Sequence, residues 1–285
     1  MSAEILPTRM EMNMQQTDRE SNLTLIRMVN DLPSLPDRYA RIRAVIEDPR
    51  AGAVELARIV STDQSTAAMI LKFANSPLHN PMDRSIASLP VAIARLGTRE
   101  TAHIAMTMSL LYGFAIPTGM GTIRNFWAHA FGVAVLCKHM AALLDLDQDA
   151  MFTVGLLHDI GRTILGIRVD MDYFESPLGQ LSGQKLAAAE RQTFGLDHAE
   201  AGEEILKLWH FPAFICQTVA EHHSDTAAST YVHILQLADA EAHSRIKHGT
   251  GIERVEELLL QEPDRPCKIL EEAGLLEPAQ EVAEG

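Results

Sequence analysis

Apolar residues recur at three- and four-residue spacing along almost the whole chain, and this constrains the fold more than any other feature. A 3.6-residue repeat gathers such residues on one face of an α-helix. Alternating apolar and polar runs, the mark of half-buried strands, are nearly absent. Pro, Gly and Asn separate the periodic segments. NLTLIRMVNDL stops at LPSLPDRY, where Pro33 and Pro36 break it. RYARIRAVIED is followed by Asp48-Pro49 and then by AVELARIVSTD. STAAMILKFANS ends at Asn75-Ser76-Pro77, and side-chain oxygens there can satisfy backbone groups left open at a helix end. Ser88 is placed to cap LPVAIARLG, with Pro90 in the first turn and Gly97 as the stop. A further helix is expected over 98–112. The expected fold class is all-α.

The best internal boundary is GFAIPTGMGT, 113–122, with three Gly and one Pro. Beyond it, IRNFWAHAFGVAVLCKHMAALL, DAMFTVGLLHDIGRTIL, GQKLAAAERQTFG, DHAEAGEEILKLW, PAFICQTVAEHH and TYVHILQLADAEAHSRI all keep helical periodicity. The expected organisation is a two-part helical bundle. A flexible lead covers 1–21, an N-terminal helical part 22–116, a second helical part 117–245 and a charged helical tail 246–285.

A chain of 285 residues that is 47% hydrophobic can bury a sizeable core. Residues 1–116 carry 12 acids and 12 bases, so the formal charge of −14 lies wholly in the remainder, with 26 acids and 12 bases. An acidic half repels polyanions and argues against general nucleic-acid binding. Most of those acids are expected simply to solvate helix surfaces; the exceptions sit beside histidines. Cys137, Cys216 and Cys267 are odd in number and widely spaced, and they read as free thiols in a reducing compartment. No apolar run is read as reaching the roughly 18 residues that span a bilayer, and the polar N-terminus lacks the apolar core of a signal peptide. A cytoplasmic protein without a membrane role is expected.

One segment stands apart. GLLHDIGRTIL, 155–165, sets His158 and Asp159 inside an apolar run whose Leu156, Leu157, Ile160, Ile164 and Leu165 follow helical spacing. It reads as a buried helix, and an ionised Asp is costly to bury unless paired or bound to metal. Other polar residues that interrupt apolar helix faces in the second half are His129, His198, the pair His222-His223, and Asp239. Imidazole nitrogens and carboxylate oxygens suit Fe, Mn or Zn better than Ca or Mg alone. Adjacent residues on one helix point about 100° apart, so a pair can straddle two ions with a carboxylate bridging them. Each residue also has a plainer role: His129 as a hydrogen-bonded core histidine, His198 at a helix N-terminus, His222-His223 as a polar helix end, Asp239 exposed. His103, His139, His210, His233, His243 and His248 are assigned to surface or packing roles.

The order His129, His158-Asp159, His198, His222-His223, Asp239 resembles the HD superfamily of metal-dependent phosphohydrolases. LPSLPDRY, DQSTAAMILKFANS, SIASLPVAIARLG, FWAHAFGVAVLC and GLLHDIGRTIL resemble its HDOD branch, the HD-related output domain of bacterial signalling proteins, over about residues 25–240. The resemblance implies an N-terminal helical part joined to an HD-type part that holds one or two divalent transition-metal ions (Fe, Mn or Zn). It implies that Asp159 bridges two metals and that His158 binds one. His129 and Asp239 would complete one shell, while His198, His222 and His223 serve mainly the other.

The chain departs from the active HD-GYP cyclic-di-GMP phosphodiesterases at three places. HHSDTAASTYV lacks their Gly-Tyr-Pro loop, Arg162 stands where a phosphate-contacting Lys is common, and Asn125 takes the place of a Glu. Arg remains cationic, but its planar fork is not interchangeable with Lys. Two functions are therefore expected in competition. One is a signal-transduction output module that holds metal with little or no turnover and engages other signalling proteins or a phosphate-containing small ligand. The other is a phosphohydrolase acting on a nucleotide or cyclic dinucleotide, with Asp159 and Arg162 as its catalytic residues.

Overall fold

The computed structural model describes residues 19–26, 37–48, 53–77, 79–81, 85–113, 120–169, 172–245 and 261–276. Of the lead expected at 1–21, residues 1–18 lie outside them, as does most of the C-terminal tail, while 19–21 are helical. The described residues are helical, with no strand among them. In chain order the helices are α1 (19–26), α2 (Asp37–Glu47), α3 (Ala53–Val60), α4 (Gln64–Ala74), α5 (Leu89–Leu96), α6 (Thr98–Gly113), α7 (Met120–Leu143), α8 (Gln148–Leu157), α9 (Ile160–Arg168), α10 (Gly183–Phe194), α11 (His198–Leu208), α12 (Ala213–Ala220), α13 (Thr230–Arg245) and α14 (Arg265–Glu272).

Two compact units emerge. One comprises 33–115 with 250–263; the other comprises 1–32, 116–249 and 264–285. In the first, α2 packs on α3 and α6, and α4 on α5 and α6. Tyr39, Ile42 and Val45 form the buried stripe of α2, at the three-residue spacing of one helix face. Asn75 ends α4 by more than capping. Its amide donates to the carbonyls of Leu71 and Ile86, both at 2.8 Å, while its Oδ1 accepts from the Ile86 N–H at 2.8 Å. Ile86, just before α5, is thereby fastened to the end of α4. Ser88 is the N-cap of α5 in extended conformation, but its hydroxyl makes no capping bond; Pro90 in the first turn supplies the helical φ instead. Gly97 stops α5 at φ +86°, a backbone region that side chains disfavour.

In the second unit, the 24-residue α7 packs against α8, α13 and α14, α9 against α11, and α12 against α8, α11 and α13. Residues 22–26, which chain order groups with the N-terminal part, are held here. Asn22 donates to the Phe194 carbonyl at 2.9 Å, and Arg19 pairs with Glu200 at 2.9 Å. Two glycines let backbones meet: a Cβ on Gly155 of α8 would lie 2.6 Å from Ala134 Cα of α7, and one on Gly161 of α9 would lie 1.8 Å from the His198 carbonyl oxygen. Such contacts fix helix spacing with no side-chain cushion.

The expectation that no stretch is long and apolar enough to span a bilayer needs correction. Asn125–Leu143 and Gln148–Ile167 both meet that length and composition, but 67% and 83% of them are buried inside the fold. They are apolar because they form the centre of this unit, where helices are covered on most sides.

Candidate metal centre

His158 and Asp159 do not lie within one helix, as the periodicity predicted. They form the turn between α8 and α9, with His158 at φ −56°, ψ −38° and Asp159 at φ −98°, ψ 10°. Apolar spacing continues across the break, which hides it from a periodicity reading. The break brings the two side chains toward one place: His158 Nε2 lies 3.6 Å from Asp159 Oδ1. Asp159 occupies the N-cap of α9 without capping it, which leaves the carboxylate for other partners.

The remaining residues arrive from four other places. His129 comes from α7 and Asp239 from α13, with His129 Nε2 3.0 Å from Asp239 Oδ1. Asp239 Oδ1 also lies 3.8 Å from His158 Nε2. His198 is the first residue of α11, whose N-cap Asp197 and Glu200 form a reciprocal capping box. The helix-terminus role and the cluster role of His198 thus coexist. His222 and His223 follow the end of α12. All seven residues singled out as metal ligands lie near one another; six of them form two overlapping groups, and Asp239 stands outside both, against His129 and His158. Asp159, His198, His222 and His223 make one; His129, His158 and Asp159 make the other, with ligand atoms in each within 4.8 Å of one another. Asp159 belongs to both.

Imidazole orientation is set from behind. His158 Nδ1 donates to the Gly155 carbonyl at 2.8 Å, and His222 Nδ1 to the Val219 carbonyl at 2.6 Å. His198 Nδ1 donates to Glu190 Oε2 at 2.5 Å. A ring nitrogen facing a carbonyl or carboxylate must carry the proton, so in the neutral ring the Nε2 lone pair faces the cluster. His198 Nε2 and His222 Nε2 lie 3.3 and 3.8 Å from Asp159 Oδ1. Buried His222 Nε2 has no hydrogen-bond partner, and His198 Nε2 faces His223 Nε2 at 2.8 Å. An orphaned lone pair and two converging ring nitrogens are unfavourable in a dry interior but suit a shared cation. This donor set fits a divalent transition metal.

The electrostatics agree. Burial works against the charge of Asp159, yet His158, His198 and Arg162 hold its carboxyl well below the usual range. Burial and the neighbouring histidines hold His222 well below its ordinary pKa and lower His223 to about 4, leaving both neutral as ligands must be. Burial opposes a charge on His198, but Glu190 and Asp159 raise its pKa. Negative surroundings that attract a proton also attract a metal ion.

Arg162 points its guanidinium into the protein. Nη1 donates to Asp159 Oδ2 at 3.3 Å, Nε to the Tyr173 hydroxyl at 3.3 Å and Nη2 to the Gly179 carbonyl at 3.1 Å. Phe126, Tyr173 and Phe174 surround it at 5.8–6.0 Å from the ring centroids. Two residues at the site were not singled out by the sequence reading. Glu190 is fully buried on α10 beneath His198, and Tyr173 donates to its Oε1 at 2.5 Å. Leu186, Ala187, Glu190 and Phe194 share the buried face of α10, so an acid at a core position was the available signal. His243, assigned a surface or packing role, lies with its ring centroid 5.8 Å from that of His129.

A family model of the HDOD domain matches residues 32–225. The fold is similar to the crystal structure of an HDOD domain protein of unknown function from Geobacter sulfurreducens, with TM-score 0.65, 25% identity, and coverage of 90% of this chain and 99% of that one. It is also similar in fold to a candidate phosphohydrolase from Shewanella amazonensis, with TM-score 0.59, 20% identity, and coverage of 88% and 94%. Among curated proteins, Ribonuclease Y of Mycoplasma genitalium is 27% identical over 123 residues, 43% of this chain and 20% of that protein. The chain spans about a fifth of the length of the curated relatives it matches. On the strength of the match over most of its length, the chain belongs to the HDOD domain family.

Proposed function

We propose that this protein is a signal-transduction output module whose second unit holds one or two divalent transition-metal ions, and that the centre binds a phosphate-containing ligand with little turnover. The observation that carries the metal reading is the fixed direction of three imidazoles. His158, His198 and His222 each spend Nδ1–H on an acceptor behind them and turn Nε2 toward Asp159. Ligand orientation by outer hydrogen bonds is how proteins select a metal-ready tautomer. Other signalling proteins are the proposed partners, and neither nucleic acid in general nor a membrane is.

Divalent ions held there would supply Lewis-acid polarisation of a phosphoryl oxygen and acidify a bound water. This chain's own residues supply less of what turnover needs. Arg162, offered by the sequence as the phosphate-holding cation, commits all three guanidinium nitrogens to Asp159, Tyr173 and Gly179. HHSDTAAST lacks the positioning loop of the active relatives, and positioning supplies several kcal/mol of a phosphoryl-transfer barrier. A second reading, a metal-dependent phosphohydrolase, is favoured by the likeness to Ribonuclease Y and to the Shewanella amazonensis protein.

One assay separates the two readings. Mn- and Fe-loaded protein is incubated with cyclic dinucleotides, nucleotides and a short oligoribonucleotide. Output binding predicts near-background hydrolysis, and Arg162→Lys should not create any. Rapid hydrolysis that Arg162→Ala abolishes would establish the phosphohydrolase and make Arg162 catalytic.

A further inference from the structure

We infer that Glu190 is a positioning residue for the centre, acting through His198 and linked by Tyr173 to Arg162 and Asp159. The inference rests on the metal reading above and goes beyond its seven ligands. Five side chains form a closed circuit. Arg162 Nε–H donates to the Tyr173 oxygen, the Tyr173 hydroxyl donates to Glu190 Oε1, and Glu190 Oε2 accepts from His198 Nδ1. His198 Nε2 then faces Asp159 Oδ1, and Asp159 Oδ2 accepts from Arg162 Nη1.

Glu190 is fully buried, and an ionised carboxylate survives there only with strong compensation. It receives three hydrogen bonds: the Tyr173 hydroxyl at 2.5 Å, His198 Nδ1 at 2.5 Å and the His198 backbone N–H at 2.9 Å. Two of these fix both the backbone and the ring of one residue. His158 and His222 rest instead on neutral backbone carbonyls. A carboxylate behind an imidazole increases the basicity of the opposite nitrogen, so His198 is the ligand with the strongest outer support. The direction of donation cannot be reversed at Glu190, because every neighbour in the circuit points a proton at it. A glutamine there would face at least one of those donors with its own N–H groups.

The test is a titration of the apo protein with Co(II) alone, read by visible absorption of the bound ion, with thermal melts of the apo proteins alongside. Glu190→Gln is expected to weaken Co(II) binding about 10–100-fold, the usual cost of losing such a partner, and to alter the absorption band. Tyr173→Phe keeps the Glu190–His198 bond but removes one of the donors that hold Glu190, and is expected to lose about two- to fivefold in affinity, with a smaller band change. Wild-type affinity and spectrum in folded Glu190→Gln would overturn the inference while leaving the metal reading intact. Should Glu190→Gln fail to fold, an unchanged affinity and spectrum in Tyr173→Phe would overturn it equally. Absence of Co(II) binding by the wild type would overturn the metal reading and this inference together.

Discussion

Gly161→Ala is expected to lower the melting temperature by roughly 6–12 °C and to abolish stable metal binding. The added Cβ would sit 1.8 Å from the His198 carbonyl oxygen and 2.7 Å from Gly202 N, both backbone atoms of α11. No rotamer change relieves a clash with backbone, so α9 and α11 must separate. Overpacking typically costs about 1–3 kcal/mol and more where nothing can yield; here about 3 kcal/mol or more is expected. At roughly 2–4 °C per kcal/mol for a chain near this size, that gives the stated shift. The functional consequence follows from the same atoms. Asp159 precedes α9 and His198 begins α11, so moving these helices apart separates two proposed ligands whose nearest polar atoms now lie 3.3 Å apart. A Gly161→Ala protein that melts within about 2 °C of wild type and keeps its metal would contradict this packing.

Asp159→Ala is expected to empty the centre, whereas His198→Ala should retain part of the metal. Asp159 is the residue common to both ligand groups, while His198 belongs to one. Loss of the shared carboxylate removes a ligand from both groups and the one carboxylate within them, leaving imidazoles, with Asp239 beside His129, to hold a divalent ion. Removing Asp159 also leaves the Arg162 guanidinium without its carboxylate partner in a buried setting, which is costly in itself. Asp159→Asn keeps the volume and separates these effects: it should still lose most of the metal while folding better than Asp159→Ala. Elemental analysis of the three variants purified side by side reads the outcome. Equal retention in Asp159→Ala and His198→Ala would show that Asp159 is not shared.

The helical class was legible because 3.6-residue periodicity survives in nearly every segment. The residues that gather at the candidate site were legible as polar residues interrupting apolar faces, and their order along the chain carried the family resemblance. Three features were not legible, each for a physical reason. The break at His158-Asp159 left the apolar spacing undisturbed, so one helix was read where two meet. Arg162 was recognised as a cation, but its direction is set by Tyr173 and the Gly179 carbonyl, which belong to an aperiodic segment. Glu190 sits in KLAAAERQTF among residues that look solvated. Only its register with Leu186, Ala187 and Phe194 marks it as inward-facing, and its partner His198 is eight residues away across a helix break. Pairings between helices depend on packing, which no local pattern encodes.

The central claim is that the His/Asp cluster is a metal centre, and the most direct measurement is metal content before and after chelation, joined to thermal denaturation. Wild-type protein is expected to carry a transition metal at about one or two equivalents, by analogy with two-metal sites. A ligand that binds only the folded state at 100 times its Kd adds about 2.7 kcal/mol. Chelation should therefore lower the melting temperature by about 5–10 °C, and restoring Mn, Fe or Zn should recover it. Protein that carries no metal after growth in metal-replete medium, takes none up, and melts identically with and without chelator would contradict the account and leave the seven residues as a polar core.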